Sequence, residues 1–118
     1  HALNRQLLVA LLNKVQAQVT VADHGHEALR ILENSPHTFD LILMDIQMPI
    51  MDGISATRVI RSMSRFDDLA IIAVTANAMS DEHKTCLNAG MQDYLVKPID
   101  RRALYDCIQR WKRSAITY

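Results

Sequence analysis

Hydrophobic positions in this chain alternate between two registers. Leu7, Leu8, Leu11, Leu12 and Val15 recur at helical spacing, so the chain opens on an amphipathic helix. Val19-Thr20-Val21-Ala22 then reads as a short strand, and Asp23 is placed to cap the next helix. That helix buries Ala28, Leu29, Ile31 and Leu32 and breaks at Asn34-Ser35-Pro36. Leu41-Ile42-Leu43-Met44 is apolar at every position, as suits a strand covered on both faces. Gly53 and Ser55 lead into a third helix carrying Ile54, Val59, Ile60 and Met63. Leu69 to Val74 is a second continuous apolar run, hence another buried strand. Asp81 to Ala89 predicts a weaker helix that Gly90 terminates. Tyr94-Leu95-Val96 is a short last strand ended by Lys97-Pro98, and Asp100 caps a final helix with Leu104, Ile108 and Trp111 on one face.

Strands separated by helices imply an α/β fold with parallel pairing and helices on both faces of the sheet. In open sheets of this kind the functional crevice lies beyond the carboxyl ends of the strands. Asp45, Thr75 and Lys97 fall at three such ends. A carboxylate, a hydroxyl and an ammonium are thereby expected along one rim.

Three motifs carry a family resemblance. Met44-Asp45-Ile46-Gln47-Met48-Pro49-Ile50-Met51-Asp52-Gly53 resembles the phosphorylation loop of two-component receiver domains. Val74-Thr75-Ala76-Asn77-Ala78 and Tyr94-Leu95-Val96-Lys97-Pro98 resemble the family's two later motifs, in the same order and at fitting separations. Their wording is most similar to receivers attached to hybrid sensor histidine kinases. The resemblance covers nearly all of residues 1–118, read as one receiver domain.

The resemblance implies that Asp45 is the phosphoacceptor, attacking the phosphorus of a phosphohistidine to form an acyl phosphate. Lys97 and Thr75 would then neutralise and bind the phosphoryl oxygens, because such transfer depends on positioning and charge stabilisation. Asp45 and the backbone carbonyl of Gln47 would be ligands for Mg²⁺. Pro49, Asp52 and Gly53 read as residues that shape the loop, and Pro98 as the partner of a cis peptide after Lys97. Tyr94 matches the family's aromatic switch position, where it would fill space vacated as Thr75 moves towards the phosphoryl group. Each has a plainer reading as well. Thr75 alone would be a turn hydroxyl or cap, Lys97 a solvated cation, and Tyr94 a half-buried strand aromatic.

The resemblance also implies a flavodoxin-like (CheY-like) doubly wound sheet of order 2-1-3-4-5, whose first strand ends in an acidic pair that helps hold magnesium. Neither that strand nor the pair is found in this sequence, where the count is four strands and five helices. A slot is therefore expected between Val19–Val21 and Leu41–Met44. Three readings of the absence stay open: the sequence starts late within its protein, another molecule donates the strand, or the domain no longer takes phosphate. With Asp45 and one carbonyl as the donors, weak Mg²⁺ binding and slow phosphorylation are expected.

Composition narrows the partners. The 118 residues suffice for one compact domain, and 13 basic residues balance 13 acidic ones. A neutral chain carries no electrostatic footprint for nucleic acid or an anionic membrane. With no membrane-spanning run or signal pattern, the cytoplasm is the expected location, the parent protein being anchored in the inner membrane in the hybrid-kinase reading. Cys86 and Cys107 are expected as free thiols. His24, His26 and His83 do not have metal-cluster spacing. Arg101, Arg102, Arg110, Lys112 and Arg113 read as a solvated helix face. The expected partner is a histidine kinase or histidine phosphotransfer domain, with dimerisation left open. An ordinary response regulator, a phosphate-independent interaction module and a flavodoxin-like cofactor binder are the alternatives.

Overall fold

The computed structural model describes residues 2–34, 39–46, 52–76 and 80–111. Gln47 and Pro49 lie outside them, as do Ser35-Pro36, Asn77-Ala78, Lys112 and Arg113. The described elements run α1 (Ala2–Lys14), α2 (Gly25–Asn34), β1 (Leu41–Asp45), α3 (Gly53–Arg61), β2 (Ala70–Thr75), α4 (Ser80–Ala89), β3 (Asp93–Val96) and α5 (Arg101–Trp111), with a 3₁₀ turn at Ser64–Phe66. The strands form one parallel sheet in the order β1-β2-β3, with Leu41 opposite Ala70 and Val74 opposite Leu95.

Side chains leave the sheet alternately on its two faces, and each face has its own core. Ile71 and Ala73 join Met44 beneath Leu29 and Leu32 of α2, Ile60 of α3 and Cys86 of α4. Ile72 and Leu95 point the other way, against Leu11 and Leu12 of α1 and Leu104 and Cys107 of α5. β2, covered on both faces and paired on both edges, is buried along its whole length.

Local chemistry sets the helix ends. Asp52 accepts a hydrogen bond from the Ser55 N–H at 2.7 Å, and Asp100 accepts one from the Ala103 N–H at 3.0 Å. Both are side-chain caps on otherwise orphaned N–H groups. At α2 the Glu27 N–H donates to His24 Nδ1 at 3.2 Å, so a histidine next to the anticipated Asp23 supplies an acceptor. α4 ends with Gly90 at φ 112°, in the left-handed region that an L side chain enters only with strain. Arg61 binds this end of the molecule together, donating to the carbonyls of Gly90, Phe66 and Leu69 and to Gln92 Oε1.

Three expectations need correction. Val19–Ala22 is not assigned as a strand; the segment lies between α1 and α2 outside the described sheet. The reason is topological, since a strand needs a partner and, among the described residues, β1 pairs only with β2. The open edge also explains why β1 is mostly half-buried where full burial was expected. Leu7 and Val15, anticipated on the buried face of α1, are about half exposed, and Val15 follows the helix end. All three features border a cleft of about 900 Å³ that runs along the outer edge of β1, at the place of the expected slot.

Candidate functional site

Asp45 closes β1, Thr75 closes β2, and Lys97 follows β3 directly. Parallel strands in register bring these three ends to one rim, with Asp45 opposite Val74 and Thr75 opposite Val96. The Lys97 N–H donates to the Thr75 carbonyl at 2.7 Å, which extends the ladder one residue past β3. Lys97 Nζ then reaches Asp45 Oδ2 at 2.8 Å across 52 residues of sequence. The pair is partly open to solvent, the lysine side chain being 18% and the aspartate 31% exposed. A reactant can therefore approach the carboxylate without the rim unfolding.

Thr75 is 3% exposed, a buried hydroxyl at the floor of the rim. Tyr94 is half-buried in β3 and packs against the core that holds Ile71 and Ala73. The peptide between Lys97 and Pro98 is cis, as expected. Asp52 and Gly53, expected to shape the loop, stand at the start of α3. Asp52 caps α3, and the Gly53 N–H donates to the Ile46 carbonyl at 3.3 Å. A Cβ on Gly53 would collide with the Asp45 carbonyl oxygen and lie 2.8 Å from Ile46 Cα. Glycine thus lets the start of α3 press against the end of β1.

Sequence reasoning assembled the described part of this rim but missed its supports. Asp93, at the start of β3, accepts from Trp111 Nε1 at 2.9 Å and from Arg110 Nη1 at 3.4 Å, tying α5 to the strand that delivers Lys97. An aspartate beginning a strand gives no sequence signal for a partner 18 residues away. Tyr105 Oη similarly donates to the Leu11 carbonyl at 2.8 Å and fastens α5 to α1.

The chain matches the response regulator receiver domain family over residues 1–109. It belongs to that family. The receiver is 44% identical over 109 residues to the signal transduction histidine-protein kinase BarA of Escherichia coli strain K12, a match covering 92% of this chain and 12% of BarA. It is 40% identical over 116 residues to the sensor histidine kinase GacS of Pseudomonas protegens, covering 96% of this chain and 12% of GacS. The chain thus spans about an eighth of these relatives. Among solved structures it resembles the receiver domain of sensor histidine kinase PA1611 from Pseudomonas aeruginosa PAO1, with TM-score 0.84 and 40% identity over 94% of this chain and 89% of that one. That receiver holds a magnesium ion in its active-site cleft. A further likeness is to a chain in the co-crystal structure of the Saccharomyces cerevisiae histidine phosphotransfer protein Ypd1 with the receiver domain of Ssk1, at TM-score 0.85 and 29% identity over 95% of this chain and 83% of that one. These neighbours establish the CheY-like receiver fold.

The described residues of this receiver do not by themselves make a magnesium site. They contain no group of three or more His, Cys, Asp or Glu side chains able to hold a metal, and Asp45 Oδ2 is engaged by Lys97. Mg²⁺ demands near-octahedral oxygen ligation and gives up water reluctantly, so one carboxylate is a poor donor set. Among the described residues no helix is long and apolar enough to cross a membrane.

Proposed function

We propose that this receiver takes a phosphoryl group from a phosphohistidine onto Asp45 and changes its partner binding in response. The supporting observation is the 2.8 Å contact between Lys97 Nζ and Asp45 Oδ2 at a solvent-open rim. A carboxylate oxygen of Asp45 attacks the phosphorus in line. As the new P–O bond forms, the P–N bond breaks and the imidazole leaves with its electron pair, taking a proton from solvent. The Lys97 ammonium sits beside the carboxylate and neutralises charge on the phosphoryl oxygens, which is the main demand of such a transfer. Thr75 closes the adjacent strand, which supports a role for its hydroxyl as a donor to one of them. Its movement towards the phosphoryl group would leave room for Tyr94, and a local change would reach the surface around β3 and α5.

The likeness to BarA and GacS supports a place in a hybrid sensor histidine kinase, with a histidine kinase or histidine phosphotransfer domain as donor and acceptor. The co-crystal of Ypd1 with a receiver domain supports a phosphotransfer partner of the same kind. The experiment is transfer from a histidine phosphotransfer protein carrying radiolabelled phosphohistidine. Label is expected to pass to the wild-type chain and not to Asp45→Asn, with slower transfer to Lys97→Met. Equal labelling of wild type and Asp45→Asn would overturn the assignment.

A further inference from the structure

The main chain just past Asp45 is held from two sides. On the sheet side, the Ile46 N–H donates to the Val74 carbonyl at 3.2 Å. On the helix side, the Ile46 carbonyl accepts from the Gly53 N–H at 3.3 Å. Gly53 is buried, and the atoms nearest to a Cβ built on it are the Asp45 carbonyl oxygen and Ile46 Cα. This glycine is therefore the abutment between α3 and the end of β1. Having no side chain, it is oriented only through its own N–H and C=O. The N–H is taken by Ile46. The carbonyl accepts from Thr57 Oγ1 at 2.7 Å, one helical turn on, beside the main-chain bond that an α-helix gives it. Thr57 is fully buried, and with Thr75 it makes up the buried polar side chains of the described residues.

We propose that Thr57 is a positioning residue for phosphoryl transfer, its hydroxyl fixing the Gly53 peptide and, through it, the main chain that carries the Asp45 carboxylate. The inference rests on Asp45 being the phosphoacceptor. The other buried side chains of α3 beside Thr57 are apolar, Ala56 and Ile60, and valine would fill the same space without a hydroxyl. A threonine inside a helix gains nothing in propensity, and a hydroxyl bonded back to the carbonyl four residues earlier tilts that carbonyl and bends the helix. The bend falls in the first turn of α3, where Gly53 touches Asp45 and Ile46. In-line attack on phosphorus depends on where the carboxylate is held, and a small misplacement slows it. The hydroxyl touches neither the carboxylate nor Lys97 and acts through Gly53 alone.

The test compares Thr57→Val and Thr57→Ser with the wild-type chain, using a histidine phosphotransfer protein carrying radiolabelled phosphohistidine as donor. Thr57→Val should lower the rate at saturating donor by about threefold or more and leave the half-saturating donor concentration unchanged. Thr57→Ser, which keeps the hydroxyl, should restore most of the rate. Hydrogen exchange at the Gly53 amide should rise about threefold or more in Thr57→Val and return in Thr57→Ser, while the Ile72 amide in the centre of β2 stays as in wild type. If valine prevents folding, Thr57→Ala against Thr57→Ser makes the same comparison, hydroxyl absent or present. A wild-type rate or wild-type Gly53 exchange without the hydroxyl would overturn the proposal. So would slow transfer that serine does not restore, or exchange that rises equally at Ile72. Failure of the acceptor assignment reads differently: wild type takes no label, or Asp45→Asn takes as much.

Discussion

At residue scale, the position of Asp45 depends on what stands behind it. Gly53 lies against the Asp45 carbonyl and Ile46 Cα, and the added methyl of alanine would meet main chain rather than a side chain that could swing away. Overpacking of this sort costs about 1–3 kcal/mol, and the rim pays first because α3 and β1 must separate to relieve it. Gly53→Ala is therefore expected to lower the urea midpoint by that equivalent without changing the slope. Lys97 belongs to a different class. Its ion pair with Asp45 is partly exposed, so its contribution to folding is small.

At element scale, helices α1 and α4 end by the same device with different residues. In α4 the Gly90 N–H donates to the Leu87 carbonyl and the Met91 N–H to the Cys86 carbonyl, around a glycine of positive φ. In α1 the Gln16 N–H donates to the Asn13 carbonyl and the Ala17 N–H to the Leu12 carbonyl, around a glutamine at φ 63°. Both are Schellman endings, and the one in α1 carries the penalty of a side chain in left-handed backbone. Gln16→Gly should raise stability by about 0.5–1 kcal/mol, measured by denaturant titration. In α5, burial pushes the Cys107 thiol up to about 11, with Asp93 adding to the shift and Arg110 opposing it. The folded state therefore holds its proton at a pH where the unfolded thiol has lost one. The contribution is fully present below the ordinary thiol value of about 8.5 and is lost as pH rises towards 11. Urea melts at pH 8 and pH 10.5 should show a loss of stability that is smaller in Cys107→Ala.

At the scale of the whole molecule, sequence patterning reached far because parallel strands convert order along the chain into position in space. Asp45, Thr75 and Lys97 each follow an apolar run, and once those runs pair in register the three must share a rim. What patterning could not foresee depends on partners. Val19–Ala22 has the composition of a strand, yet strand identity requires a neighbour, and none of the described strands lies beside it. Leu7 and Val15 have helical spacing, yet both line the cleft and are about half exposed. The His24 Nδ1 acceptor for the Glu27 N–H depends on a ring direction that no spacing rule encodes.

A phosphoryl group on the chain should come to rest on Asp45. Prolonged treatment of the chain with acetyl phosphate, followed by borohydride reduction, converts an aspartyl phosphate to homoserine that survives proteolysis. The tryptic peptide spanning residues 31–58 carries three aspartates, Asp40, Asp45 and Asp52, and fragment masses separate them. Homoserine at position 45 alone is the predicted result. Reduction at position 40 or 52, or a peptide left unreduced throughout, would contradict the assignment of Asp45.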